Sequence, residues 1–225
     1  MTSLAFICEG KTERNFVEEV IAPHLKARGI ESVPSEIGQE FLQPGGNVSL
    51  ARVMRDVENH LANSDYVTTV VDFYGMATDW VKCCGGDIHQ KATQEKAEIA
   101  ESAALKYAIS HVNVPDVERR FIPNVLMHEF EGLLLTSPET IVTVTRNTRA
   151  LCDLAHEIEG FDSPEDINTG RDTAPSKRLK KCKANYGKTF HGARIAAVIG
   201  LAAIRSSCPH FNRWMERIET LGALS

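Results

Sequence analysis

The stretch Leu4-Ala5-Phe6-Ile7-Cys8-Glu9-Gly10-Lys11-Thr12-Glu13 decides how this chain is read. Its apolar first half reads as a buried strand. The residues beyond it, Phe16, Val17, Val20, Ile21 and Leu25, recur at helical spacing. A strand that empties into a carboxylate, a glycine and a second carboxylate puts both acids at its carboxyl end. Open α/β sheets bind their ligands at that edge. Two close carboxylates repel unless a cation lies between them, so the pair suggests a hard divalent metal. A plainer reading stands beside it, in which Glu13 only favours the helix N-terminus through the dipole, with Thr12 as cap.

The same alternation continues outward. The first helix is expected from about Thr12 to Arg28, and an extended piece near Glu31 to Ile37. Gln43-Pro44-Gly45-Gly46-Asn47 has loop chemistry. A helix over about Ser49 to Asn63 carries Leu50, Val53, Val57 and Leu61 on one face. Tyr66 to Val71 is rich in β-branched residues and reads as a central strand ending at Asp72. Phe73 to Thr93 reads as a long irregular segment, of the kind that is often functional. A helix follows near Gln94 to Ser110. Arg120 to Met127 reads as a strand that Pro123 confines to an edge or bulge, and it empties into His128-Glu129-Phe130-Glu131. Helical patterns then dominate, near Pro138 to Ile158, Pro175 to Lys183, Gly192 to Ala203 and Pro209 to Leu221. The expected fold is α/β: a mostly parallel, helix-flanked sheet over residues 1–136, with a helical C-terminal region, 137–225, packed on it.

Composition sets the wider bounds. With 225 residues, 43% of them hydrophobic and 24% charged, the chain has material for a real core. Charges interrupt every apolar run, so no membrane span is expected, and the start lacks a signal-peptide pattern. A cytoplasmic protein is the expectation. The six cysteines form no CxxC pair, which suggests scattered free thiols and no zinc site. A net charge of -5 argues against a general nucleic-acid coat. Yet Arg171, Lys177, Arg178, Lys180, Lys181, Lys183, Lys188 and Arg194 face only Asp172 within their segment. That segment is either a solvated helix face or a phosphate-contacting surface.

Acids therefore follow three strands: Glu9, Asp72, and the pair Glu129 and Glu131. In a parallel sheet these ends share one edge and converge. Spaced carboxylates without sulfur or imidazole suit Mg²⁺. Glu129 and Glu131 would point apart in a helix, so one of them is expected to act, with Glu131 preferred. His128 lacks HExxH spacing, and Gly10-Lys11-Thr12 lacks the upstream glycine of a P-loop. Lys11 could neutralise a phosphate or simply be solvated. Ser176-Lys177-Arg178 opens a helix after Pro175, where amides and cations could hold an anion.

Strand-then-Glu9-Gly10-Lys11-Thr12-Glu13 resembles the opening motif of toprim domains, especially those of OLD-type nucleases. Val70-Val71-Asp72-Phe73-Tyr74-Gly75 sits in the place of the toprim DxD motif. Together with His128 to Leu134 and Ala174 to Leu179, the set is similar to a bacterial toprim-like family of unknown function, often encoded beside an ABC-type ATPase in anti-phage defence loci. The resemblance implies a toprim-like fold and Mg²⁺- or Mn²⁺-dependent phosphodiester chemistry on DNA or RNA. Glu9, Glu13 and Asp72 match its metal acids. Tyr74 replaces the second DxD acid, which leaves Glu129, Glu131 or Asp79 to supply the charge, or a single metal to suffice. The expected site is Glu9, Asp72 and Lys177 in catalysis, with Glu9, Glu13, Asp72, Glu129 and Glu131 as metal ligands. Lys11, Lys177, Arg178, Lys180 and Lys181 are expected on nucleic acid. The expectation is a nuclease or nickase working with an ATPase; a non-catalytic or conditionally active module held by that ATPase is the alternative. Self-association into a homo-oligomer is left open.

Overall fold

Strand β1 (Thr2–Cys8) turns Leu4, Phe6 and Cys8 to one core and Ala5 and Ile7 to another, so both its faces are buried. The computed structural model describes residues 1–38, 48–168, 170–182 and 184–224; the predicted loop Gln43 to Asn47 lies outside these. After β1 comes α1 (Lys11–Phe16), which runs through a π turn (Val17–Ile21) into α2 (Ala22–Lys26). The widened turn precedes Pro23, which has no N–H to give a regular helix. Then follow β2 (Ile30–Glu36), α3 (Leu50–Leu61, capped by the Ser49 hydroxyl) and β3 (Tyr66–Asp72).

The segment expected to be irregular is structured instead. A 3₁₀ turn (Phe73–Gly75) leads to α4 (Thr78–Cys84), anchored by the fully buried Trp80, whose Nε1 donates to Ala100 O at 3.1 Å. Ala100 belongs to α5 (Thr93–His111). A short α6 (Val117–Arg120) leads to β4 (Phe121–Ile122) and β5 (Val125–Leu126). These two pieces keep one parallel register along β3, with Val67 opposite Phe121 and Asp72 opposite Leu126. Pro123 lacks an N–H, and the gap is bridged by the Thr69 hydroxyl, which donates to Asn124 O at 2.8 Å.

The sheet order is β2-β1-β3-β4, with β5 also on β3, and every pairing is parallel. α1 and α2, between β1 and β2, lie on one face; α3 and α5 lie on the other. Strand order therefore reverses between β1 and β3, which opens a crevice at their carboxyl ends.

Beyond β5 the chain is helical: α7 (Glu131–Leu134), α8 (Pro138–Val144), α9 (Leu151–Ile158), α10 (Pro175–Lys181), α11 (Lys188–Ile199), α12 (Leu201–Ser207) and α13 (Pro209–Glu219). The two long helical patterns, Pro138 to Ile158 and Gly192 to Ala203, each divide, the second at Gly200. These helices share the core of the α1 face. Trp214 of α13 packs edge-on to Phe6 and donates to the Thr68 hydroxyl at 2.9 Å. No helix among the described residues is long and apolar enough to cross a membrane.

Candidate functional site

The crevice between β1 and β3 is lined by acids, and the backbone explains how each arrives there. Glu9 leaves β1 and its Oε2 accepts the backbone N–H of Asp72 at 2.9 Å, tying the two strand ends together. Gly75 makes room for this: a Cβ there would lie 2.3 Å from Glu9 Oε2. Asp72 closes β3, and its Oδ1 accepts the Phe130 N–H at 2.7 Å. Glu13 sits in the first turn of α1, and its Oε2 accepts the Gly10 N–H at 3.1 Å. Gly10 is thus the N-cap position, which the plainer reading gave to Thr12. Glu131 opens α7, and the Tyr186 hydroxyl donates to its Oε1 at 3.3 Å.

Three of these carboxylates meet a single cation that the sequence did not single out. Lys188 Nζ lies 3.1 Å from Glu13 Oε1, 3.2 Å from Asp72 Oδ2 and 3.6 Å from Glu131 Oε2. All three acids are buried: Glu13 is 2% exposed, Asp72 4% and Glu131 1%. Among the described residues Glu13 Oε1 and Glu131 Oε2 have no partner but the Lys188 ammonium. Lys188 reaches this position because α11 packs closely on α1 at Gly192, where a Cβ would lie 2.8 Å from Thr12 Cγ2.

Burial dominates the electrostatics, with repulsion between the acids a smaller addition. Burial pushes Glu9 up to about 7, opposed by the Asp72 N–H and reinforced by Glu13. Asp72 is raised well above the usual carboxylate range, first by burial and in spite of Lys188. Glu131 is raised for the same reasons. Burial works against the Lys188 ammonium, but Asp72, Glu131 and Glu13 outweigh it and hold the charge firmly. Removing either sign leaves the other uncompensated in a desolvated place. Among the described residues, no three His, Cys, Asp or Glu side chains stand, as placed, in an arrangement that holds a metal ion.

The remaining predicted residues are distributed differently from the expectation. Glu129 Oε2 accepts the Ser176 N–H at 2.9 Å, so the α10 N-terminus, read as an anion site, is filled by the protein's own carboxylate. Asp79 Oδ2 accepts the Leu50 N–H at 2.9 Å and holds the start of α3, away from the acids. Tyr74 bonds Asn168 and lies against His128, whose pKa burial lowers to about 4. Arg178 is buried; its Nη1 bonds Glu157 O at 2.5 Å and Glu157 Oε2 at 3.0 Å, and its Nε bonds Thr173 O at 2.8 Å. Lys181 also pairs with Glu157. Arg178 is thus committed within the fold, whereas Lys181 stays largely exposed beside Glu157. Lys183 lies outside the described residues, as does the side chain of Arg171. Lys11 is exposed on the first turn of α1.

Lys177 and Lys180 keep a place at the site's entrance. Both are exposed and line a groove of about 590 Å³ together with Glu131, Asn185, Tyr186 and Lys188. The cation seated on the acids is thus Lys188, and Lys177 stands outside it on the groove wall. Sequence offered little to single out Lys188, which was one lysine among eight cations. The glycines near it, Gly187 and Gly192, were its only local signal.

No curated protein and no solved structure gives a match to the chain. Residues 8–219, which include every acid of the crevice and Lys188, match the family model described as Domain of unknown function (DUF4276), and the chain belongs to that family.

Proposed function

We propose that this protein is a Mg²⁺- or Mn²⁺-dependent phosphodiesterase acting on nucleic acid, a nuclease or nickase with a toprim-like core. One observation carries the reading: buried carboxylates from three separate elements converge on one cationic atom, and among the described residues two of their oxygens have no other partner. The donor set is all carboxylate oxygen, which fits a small hard cation. Glu13, Asp72 and Glu131 would hold it, with Glu131 in the part of the acid that Tyr74 replaces. Bound there, such an ion would polarise a scissile phosphate and lower the pKa of a water.

The chain's own residues supply the rest. Glu9 is a positioning residue, because its bond to the Asp72 N–H fixes the end of β3. Tyr186 orients Glu131 through its hydroxyl. Lys177 and Lys180 line the approach and meet backbone phosphates, while Lys188 offsets charge at the reacting group. An ATPase partner and a role in anti-phage defence draw their support from the family resemblance alone.

The test is incubation of purified protein with single- and double-stranded DNA and RNA, with Mn²⁺ or with chelator. Cleavage that needs Mn²⁺ and disappears in Asp72→Asn is expected. A folded wild-type protein that cleaves none of these substrates sinks the reading. One observation favours a second reading, a module that performs no chemistry until a partner acts on it: Lys188 already sits against all three carboxylates. Cleavage by the isolated protein excludes it.

A further inference from the structure

We infer that Lys188 and a divalent cation compete for the same three carboxylates, so that the cation enters only as the ammonium withdraws into the adjoining groove. The inference rests on the metal-dependent reading above and assigns Lys188 a role that reading does not require. A single atom, Lys188 Nζ, stands within 3.6 Å of Glu13 Oε1, Asp72 Oδ2 and Glu131 Oε2. Those are the oxygens a metal would take, and among the described residues Glu13 Oε1 and Glu131 Oε2 have no partner but Lys188. An ammonium and a divalent ion cannot share that space, because like charges so close repel strongly outside bulk water.

The route out is visible. The Lys188 side chain is 39% exposed although its three partners are almost fully buried. It lines the same groove of about 590 Å³ as Lys177 and Lys180. Lysine has a long unbranched stem, so rotation about its side-chain bonds suffices, and α11 stays docked on α1 at Gly192. In the groove the withdrawn ammonium stands with two other lysines. That trio forms an anion site of the kind a phosphodiester backbone fills. Metal entry and phosphate binding then favour each other, since each stabilises the withdrawn lysine.

Two measurements test this with Mn²⁺ as probe. The first is Mn²⁺ affinity by electron paramagnetic resonance for wild type, Lys188→Met and Asp72→Asn. Because Lys188 rests on the carboxylates, Lys188→Met is expected to bind Mn²⁺ roughly 10-fold or more tightly than wild type, and Asp72→Asn more weakly. Equal affinity in wild type and a folded Lys188→Met overturns the competition. The second uses only the wild-type protein, so it stands even if Lys188→Met fails to fold. Reductive methylation followed by mass spectrometry should label Lys188 several-fold faster in saturating Mn²⁺. Wild-type protein that binds Mn²⁺ with unchanged or slower Lys188 labelling overturns the exchange and leaves the metal-dependent reading standing. Wild type and Lys188→Met both failing to bind Mn²⁺ overturns the two together.

Discussion

Glu9 and Asp72 are 63 residues apart in sequence, yet the carboxylate of one accepts the backbone N–H of the other at 2.9 Å. This bond crosses between the first and third strands where the strand order reverses. It uses the backbone of Asp72 and leaves that residue's own oxygens for Phe130 and Lys188. The two acids are thereby placed in contact through a hydrogen bond, although the Glu9 charge still helps to raise the Asp72 carboxyl.

Gly75→Ala tests how much depends on that bond. The new methyl would lie 2.3 Å from Glu9 Oε2, the far end of a flexible side chain, so the carboxylate swings away and the fold survives. The expected loss of stability is about 1 kcal/mol, one hydrogen bond's worth. Mn²⁺ binding should fall far more than thermal stability does. Unchanged Mn²⁺ affinity would show that Glu9 does not position Asp72.

Gly192→Ala tests the docking of α11 on α1. A Cβ there meets Thr12 Cγ2 at 2.8 Å, Phe130 Cε1 at 3.0 Å and the Tyr186 hydroxyl at 3.3 Å. Overpacking of this kind costs about 1–3 kcal/mol. Thr12→Ser removes one of the three obstacles, so the double variant should recover part of the lost melting temperature. Purely additive losses in the double variant would mean that α11 is not held by this contact.

The basic segment should divide into two kinds of cation. Lys177→Glu with Lys180→Glu should weaken nucleic-acid binding and reduce the salt slope by about 1.4–1.8, two phosphate contacts' worth. Arg178→Ala should instead destabilise the protein by about 1–3 kcal/mol, because the buried guanidinium bonds the Thr173 and Glu157 carbonyls and these lose their donor, while Lys181 stays on the Glu157 carboxylate. Equilibrium denaturation alongside filter binding at several salt concentrations separates the two. Equal salt slopes in wild type and the double reversal would remove Lys177 and Lys180 from the binding surface.

Individual ion pairs should contribute to stability with opposite pH dependence. Asp65 is held below the usual carboxylate range by Ser3, Glu157 by Lys181, and Glu219 by Arg205 and His24 in spite of burial. Lowered folded values give stability that is present above about pH 4 and lost as pH falls through them. His210 is opposite in sign: burial lowers it, but Glu101 at 3.0 Å outweighs burial and raises it. Its contribution is full below about pH 6.5 and fades as pH rises through the raised value. His210→Gln should therefore cost more melting temperature at pH 6 than at pH 8.5. A pH-independent difference would show that the imidazolium–Glu101 pair contributes nothing.

Much of the frame was legible in residue order alone. The apolar run Leu4 to Cys8 and the β-branched run Tyr66 to Val71 could only bury both faces, so they form adjacent parallel strands. Strand–helix alternation then brings Glu9, Asp72 and Glu131 to one edge, and Pro123 does mark an outer strand. What sequence could not decide is which charges meet there. Lys177 and Lys188 look alike in a basic segment, as Glu129 and Glu131 do in His128 to Glu131. The choice is made by packing between distant elements. α11 settles against α1 at Gly192 and carries Lys188 to Asp72, 116 residues away in the chain. α10 places its Ser176 N–H on Glu129 and so leaves Glu131 for the crevice. Charge type is written locally, but a charge's partner depends on distances fixed only once the helices have docked.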